Sequence, residues 1–154
     1  YMSFSVPFAE VPTSVFVPKG RSFKFERIEH LKGRIGIMMR GDSISDEFSE
    51  MEKALNITKV SDYEHAFRML GSNRADYAVA AKFGFLIHAK KLQCEKMFET
   101  LPNPIATRYL HIAVSKKSKF TKYIPMVNQR IEELKSSGMM QKIIEQAISK
   151  AAEK

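Results

Sequence analysis

The alternation of short apolar runs with amphipathic stretches constrains this chain more than any other feature. RIGIMM (34–39) is a continuous apolar run of strand length, as expected of a strand covered on both faces. SDEFSEMEKAL (45–55) follows, with Phe48, Met51 and Leu55 at helical spacing. ITKV (57–60) reads as a strand. SDYEHAFRMLGSN (61–73) reads as a helix opened by a capping box, Ser61 with Glu64 three residues on. ADYAVAA (75–81) is the next strand and FGFLIHAKKL (83–92) the next helix. Strands alternating with helices of roughly ten residues predict βαβ units and a mostly parallel sheet. Right-handed crossovers then place helices on both faces.

The flanks follow the same logic. TSVFVPKG (13–20) alternates and ends at a Pro-Lys-Gly turn, and FERIEHLKG (25–33) is a short helical turn stopped by Gly33. YLHIAVSKK (109–117) is β-rich. Two helices close the chain, 118–138 and 139–152, the first with Phe120, Tyr123, Ile124, Val127, Ile131 and Leu134 at helical spacing. The 154 residues fit one domain or slightly more. No run nears the roughly 20 apolar residues that span a bilayer. The opening YMSFSVPFAEVP has neither a basic nor an apolar leader region; a mature or truncated chain reads this way too.

The net charge of +8 raises the question of nucleic acid. The basic residues are scattered, densest in SKKSKFTK (115–122), and no aromatic-interleaved RNA motif or Cys/His finger spacing accompanies them. A solvated basic surface is the expectation, with no nucleic-acid partner. Cys94 is the only cysteine and forms no internal disulfide. His30, His65, His88 and His111 show no metal-ligand spacing, and GxSxG, HExxH and SxxK do not occur. The carboxylates Glu10, Asp42, Asp46 and Asp76 single out no acid–base pair. No catalytic residue, metal or cofactor is expected.

One loop stands out. In open α/β sheets ligands bind beyond the carboxyl ends of strands. MRGDSIS (39–45) is such a connection. Gly41 permits a sharp turn, Ser43 and Ser45 carry hydroxyls, and Arg40 adds charge. An ordinary turn with a Ser cap is the other reading of these residues. The loop is neither a Walker loop nor GxGxxG.

Four segments, in order, resemble extracellular solute-binding proteins of family 3, the polar amino-acid type periplasmic binding proteins of ABC importers. FSVPFAEVPTSVFVPKG resembles the family's hinge phrase. HLKGRIGIMMRGDS is similar to its DLKGKxxGVxxGS, and DYEHAFRMLGSNRADYAVAAKFG to its sxxxAlxxLxxGrvDAvvxD. RYLHIAVSKKSKFTKYIPMVNQRIEELKSSGMMQKIIEQ resembles its C-terminal ending.

The resemblance implies a type II periplasmic-binding-protein fold, two α/β lobes that close on a solute. Residues 1–11 would be a hinge remnant of a largely absent first lobe, 12–117 the second lobe, and 118–154 the C-terminal helices. It implies ligand contacts from Arg40, Gly41, Asp42, Ser43 and Ile44, with Phe8 and Lys82 beside them. The family's usual ammonium-binding Asp corresponds to Ala81, which puts α-amino-acid binding in doubt and, with Lys82, favours an anionic or neutral ligand. The implied role is capture of a small polar solute for an ABC transporter permease, in the periplasm or outside the cell. An extracytoplasmic sensing module of a membrane signalling protein is the alternative. The C-terminal helices, without a first lobe, would expose an apolar face and favour a homodimer.

Overall fold

A computed structural model of the chain describes residues 1–153. The chain divides into two compact units: Pro12–Thr107, and residues 1–11 together with those from Arg108 onward. The first unit therefore ends ten residues before the point at which the resemblance ends the second lobe.

In the Pro12–Thr107 unit the strands are β2 (Ala9–Pro18, entering from residue 9), β3 (Ile35–Met39), β4 (Asn56–Val60), β5 (Tyr77–Ala81) and β6 (Phe98–Thr100). They lie in the order β4-β3-β5-β2-β6, and β7 (Ala106–Leu110) also pairs with β2. β3 is parallel to both β4 and β5, with Gly36 opposite Tyr77 and Met38 opposite Val79. β2 runs antiparallel to β5 and to β6, so it alone opposes the direction of the other four. The three helices are α1 (Asp46–Glu52), α2 (Tyr63–Gly71) and α3 (Lys82–Lys91).

The strand period of two sorts the apolar residues into two cores. Val15, Val17, Met38, Tyr77 and Val79 face one side, where they meet Ile28 and Leu31 of a short 3-10 turn and Phe48 of α1. Phe16, Ile37, Ala78 and Ala80 face the other, against Ala66, Phe67 and Leu70 of α2 and Phe85 and Ala89 of α3. Covering on both faces explains why RIGIMM is apolar throughout rather than alternating. Small alanines at 78 and 80 leave room for aromatic packing: Phe16 stacks on Phe85 with centroids 3.7 Å apart, and Phe67 meets Phe85 edge-on at 4.9 Å.

The helix starts follow from local chemistry. Ser45 caps α1, its Oγ accepting from the Phe48 amide at 3.1 Å. At α2 the capping box is replaced: Asp62, not Ser61, accepts from the His65 amide at 2.7 Å, and Ser61 donates to the Asp62 carboxylate.

The second unit holds β1 (Met2–Phe4), β8 (Ala113–Ser115), α4 (Ile124–Ser136) and α5 (Met139–Glu153). β1 pairs antiparallel with β8. The run 109–117 is not one strand. It breaks at His111 and Ile112, where Ser5 intervenes: the His111 ring lies 2.8 Å from the Ser5 carbonyl and the Ile112 amide donates to Ser5 Oγ. The span 118–138 also divides. Pro125 at the start of α4 leaves Lys119–Tyr123 as a 3-10 segment. Among the described residues, the buried apolar side chains of this unit are Ala9 and Ile131, while Phe4, Phe120, Tyr123, Met126, Met139 and Ile143 are exposed. No described helix is long and apolar enough to cross a membrane.

Candidate functional site

The sheet order creates a switch point. From β3 the chain leaves through α1 to β4 on one side; from β5 it leaves through α3 toward β6 on the other. Adjacent strands whose connections diverge open a crevice at their carboxyl ends. Arg40–Ser45 follows β3 there, and Lys82 follows β5.

The first loop is shaped by its backbone. The Asp42 amide donates to the Met39 carbonyl at 3.3 Å, closing a turn whose third residue is Gly41 at φ +89°. That is the position at which a type II turn needs positive φ, hence glycine. The Arg40 amide donates to the Val60 carbonyl at 2.8 Å, tying the loop to the end of β4. The Arg40 and Asp42 amides thus serve the fold. Arg40, Gly41, Asp42 and Ser43 are exposed. Ile44 turns inward and is buried in the core with Met38 and Phe48, so it offers a ligand no side chain.

Lys82 is half-buried at the first position of α3, where the preceding Ala81 supplies no side-chain cap. Phe8 lies outside the Pro12–Thr107 unit. It belongs to the other unit, where its amide donates to the Leu110 carbonyl at 2.9 Å.

Tyr63 joins the loops and was not singled out by sequence reasoning. It opens α2, and its ring stacks on His88 of α3 at 4.4 Å and 19°. Its hydroxyl lies 2.8 Å from where a Cβ on Gly84 would stand, so glycine is required for this approach. Burial pushes the Tyr63 phenol pKa upward, and the Asp42 carboxylate pushes it further in the same direction. The end of β3, the start of α2 and the start of α3 therefore meet around Tyr63, and the Asp42 carboxylate acts on its hydroxyl. Only tertiary packing brings these three together, since Asp42 and Tyr63 are 21 positions apart in the chain.

No family model matches the sequence, and no curated protein matches it. Solved structures do. An ancestral cationic amino-acid solute-binding protein superposes with a TM-score of 0.70 at 20% identity, covering 94% of this chain and 61% of its own. The fold is that of a type II periplasmic-binding-protein lobe. The GluR0 ligand-binding core in complex with L-glutamate shares it with a TM-score of 0.65 at 13% identity, over 94% of this chain and 63% of that one. So does an amino-acid ABC transporter substrate-binding protein from Streptococcus pneumoniae bound to L-arginine, with a TM-score of 0.63 at 17% identity, over 99% and 63%. The chain spans about three fifths of the length of these structures. In such a lobe the β3 and β5 loops sit at the carboxyl edge of the parallel strands.

Proposed function

We propose that this chain is the solute-binding part of an ABC importer, holding a small polar solute without making or breaking a bond. The strand order, which brings the loop after β3 and the start of α3 to one switch point with Tyr63 near Asp42, carries the reading. Main-chain amides and hydroxyls of the loop after β3, with Arg40, would hydrogen-bond the solute, and Tyr63 would offer an aromatic wall. Ala81 leaves the end of β5 without a carboxylate for an ammonium group, and Lys82 follows directly. That arrangement favours an anionic or neutral solute over an α-amino acid. Capture takes place outside the cytoplasmic membrane, in the periplasm or extracellularly, with a permease as the protein partner. No observation favours the sensing-module alternative.

Titration calorimetry on the full-length gene product tests the site, after a thermal-shift panel of amino acids, organic acids and polyamines has found the solute. Ser43→Ala, which leaves the charge of the loop unchanged, is expected to weaken binding about tenfold or more, because a buried hydrogen bond to a charged group contributes roughly 1.5–3 kcal/mol; Asp42→Ala is expected to weaken binding of a neutral solute and to strengthen that of an anionic one. Unchanged affinity in both variants removes this loop from the site.

The exposed Phe120, Met126, Met139 and Ile143 imply a cover for the second unit. We place there the two fifths of the matched structures that this chain does not span. A homodimer through α4 and α5 is the competing cover, and light scattering separates them: a dimer of the full-length product supports the second, a monomer the first.

A further inference from the structure

A second concave surface lies along α2, within the Pro12–Thr107 unit and independent of the solute site. Its apolar part is a groove of about 480 Å³ lined by Phe67, Leu92, Cys94, Met97 and Phe98. That volume is within the range of small-molecule pockets. Leu92 is 46% exposed and Met97 52%, and Ile35 is the only other large apolar residue of this unit so exposed among those described.

The polar part is continuous with it. Arg68 and Ser72 line both, and the polar part adds His65, Met69 and Arg74. Among the described residues, neither Arg68 nor Arg74 has a carboxylate within ion-pair distance, whereas Arg21, Lys59 and Arg130 each do. Glu64, one turn before Arg68 on α2, is the single acid on the rim. Two guanidiniums without a close ion pair, Arg68 feeling the more distant Asp62 carboxylate, lie beside an open apolar groove and match one ligand chemistry: an anionic head with an apolar tail. Guanidinium holds a carboxylate through paired N–H donors, and the tail removes apolar surface from water.

We propose that this groove is a second binding site, for a single-chain anionic amphiphile, whose carboxylate lies between Arg68 and Arg74 and whose hydrocarbon chain lies over Phe67, Leu92 and Met97.

Cys94, the only cysteine, gives a reporter inside the groove. Its alkylation by iodoacetamide at mildly alkaline pH is timed on the whole chain, with decanoate below its micellar concentration as probe. At ten times the dissociation constant, decanoate is expected to slow alkylation about tenfold by mass action. Acetate, which has the charge without the tail, and decyltrimethylammonium, which has the tail with the opposite charge, are expected to leave the rate unchanged. Replacing Arg68 and Arg74 together by Gln is expected to weaken decanoate protection about tenfold or more. Met97→Glu, at an exposed position, is expected to remove it while the thermal transition stays in place. No protection by decanoate overturns the proposal, and so does equal protection by decyltrimethylammonium. Protection that rises with protein concentration in the absence of any amphiphile also overturns it, because a second copy then occupies the groove.

Discussion

Tyr77 sits fully buried on β5, and its ring fills the space above Gly36 on the neighbouring strand. A Cβ on Gly36 would fall 2.4 Å from the Tyr77 ring, so Gly36→Ala is expected to cost about 1–3 kcal/mol by overpacking, read from urea unfolding. The Tyr77 hydroxyl is buried with no hydrogen-bond partner among the described residues. Tyr77→Phe is therefore expected to be neutral or to stabilise by up to about 1 kcal/mol. Burial first, and then the nearby Asp76 carboxylate, pushes its pKa up to about 12. A raised folded-state value means that the stability is complete below pH 10, where unfolded tyrosine begins to ionise, and is lost as pH climbs to about 12. Wild type is expected to lose roughly 2–3 kcal/mol more than Tyr77→Phe across that window, measured by urea unfolding at pH 9 and 12. Equal losses would show that Tyr77 ionises normally in the fold. None of this was legible in the sequence, where Gly36 and Tyr77 are 41 positions apart and nothing in either local pattern joins them.

At the scale of elements, legibility followed how local the cause was. RIGIMM read correctly as a covered strand because its composition answers to both faces at once. The cap of α2 did not, because Ser61 with Glu64 fits the capping-box spacing as well as Asp62 fits an Asx cap. The carboxylate is the stronger acceptor for the His65 amide. Asp62→Ala is expected to lower stability by about 1 kcal/mol and Ser61→Ala by much less, by thermal unfolding. The His65 amide, and then Ser61, holds the Asp62 pKa below the usual carboxylate value, so this cap acts above the ordinary Asp pKa and fades as pH falls through the lowered one. The break between β7 and β8 comes from Ser5, over a hundred residues away, and no period in 109–117 signals it. At the candidate site, the loop 40–43 reads as a strand-to-helix connection because it follows an apolar run. That the Ile44 side chain turns into the core, and that Tyr63 comes near Asp42, depend on packing that no local pattern signals.

For the whole molecule, the two units differ in how much they bury. The Pro12–Thr107 unit has two cores, whereas the other holds few buried apolar side chains and many exposed ones. Local stability follows buried contacts. Amides of α5 are accordingly expected to exchange with deuterium at least roughly tenfold faster than those of β3 and β5. Equal protection would mean that the two units open together. If the full-length product covers α4 and α5, exchange there is expected to slow toward the value for the sheet.

The division of β5 between its two neighbours has a further consequence. Tyr77 and Val79 point to one side of the sheet and Ala78 and Ala80 to the other. Deleting a single residue from that strand would trade these places, driving a phenol ring into the alanine slot packed by Phe16 and Phe85 and leaving a hole beneath Phe48. The two sides are keyed like lock wards, bulky on one and slight on the other, so frame-shifted pairing is penalised twice by volume.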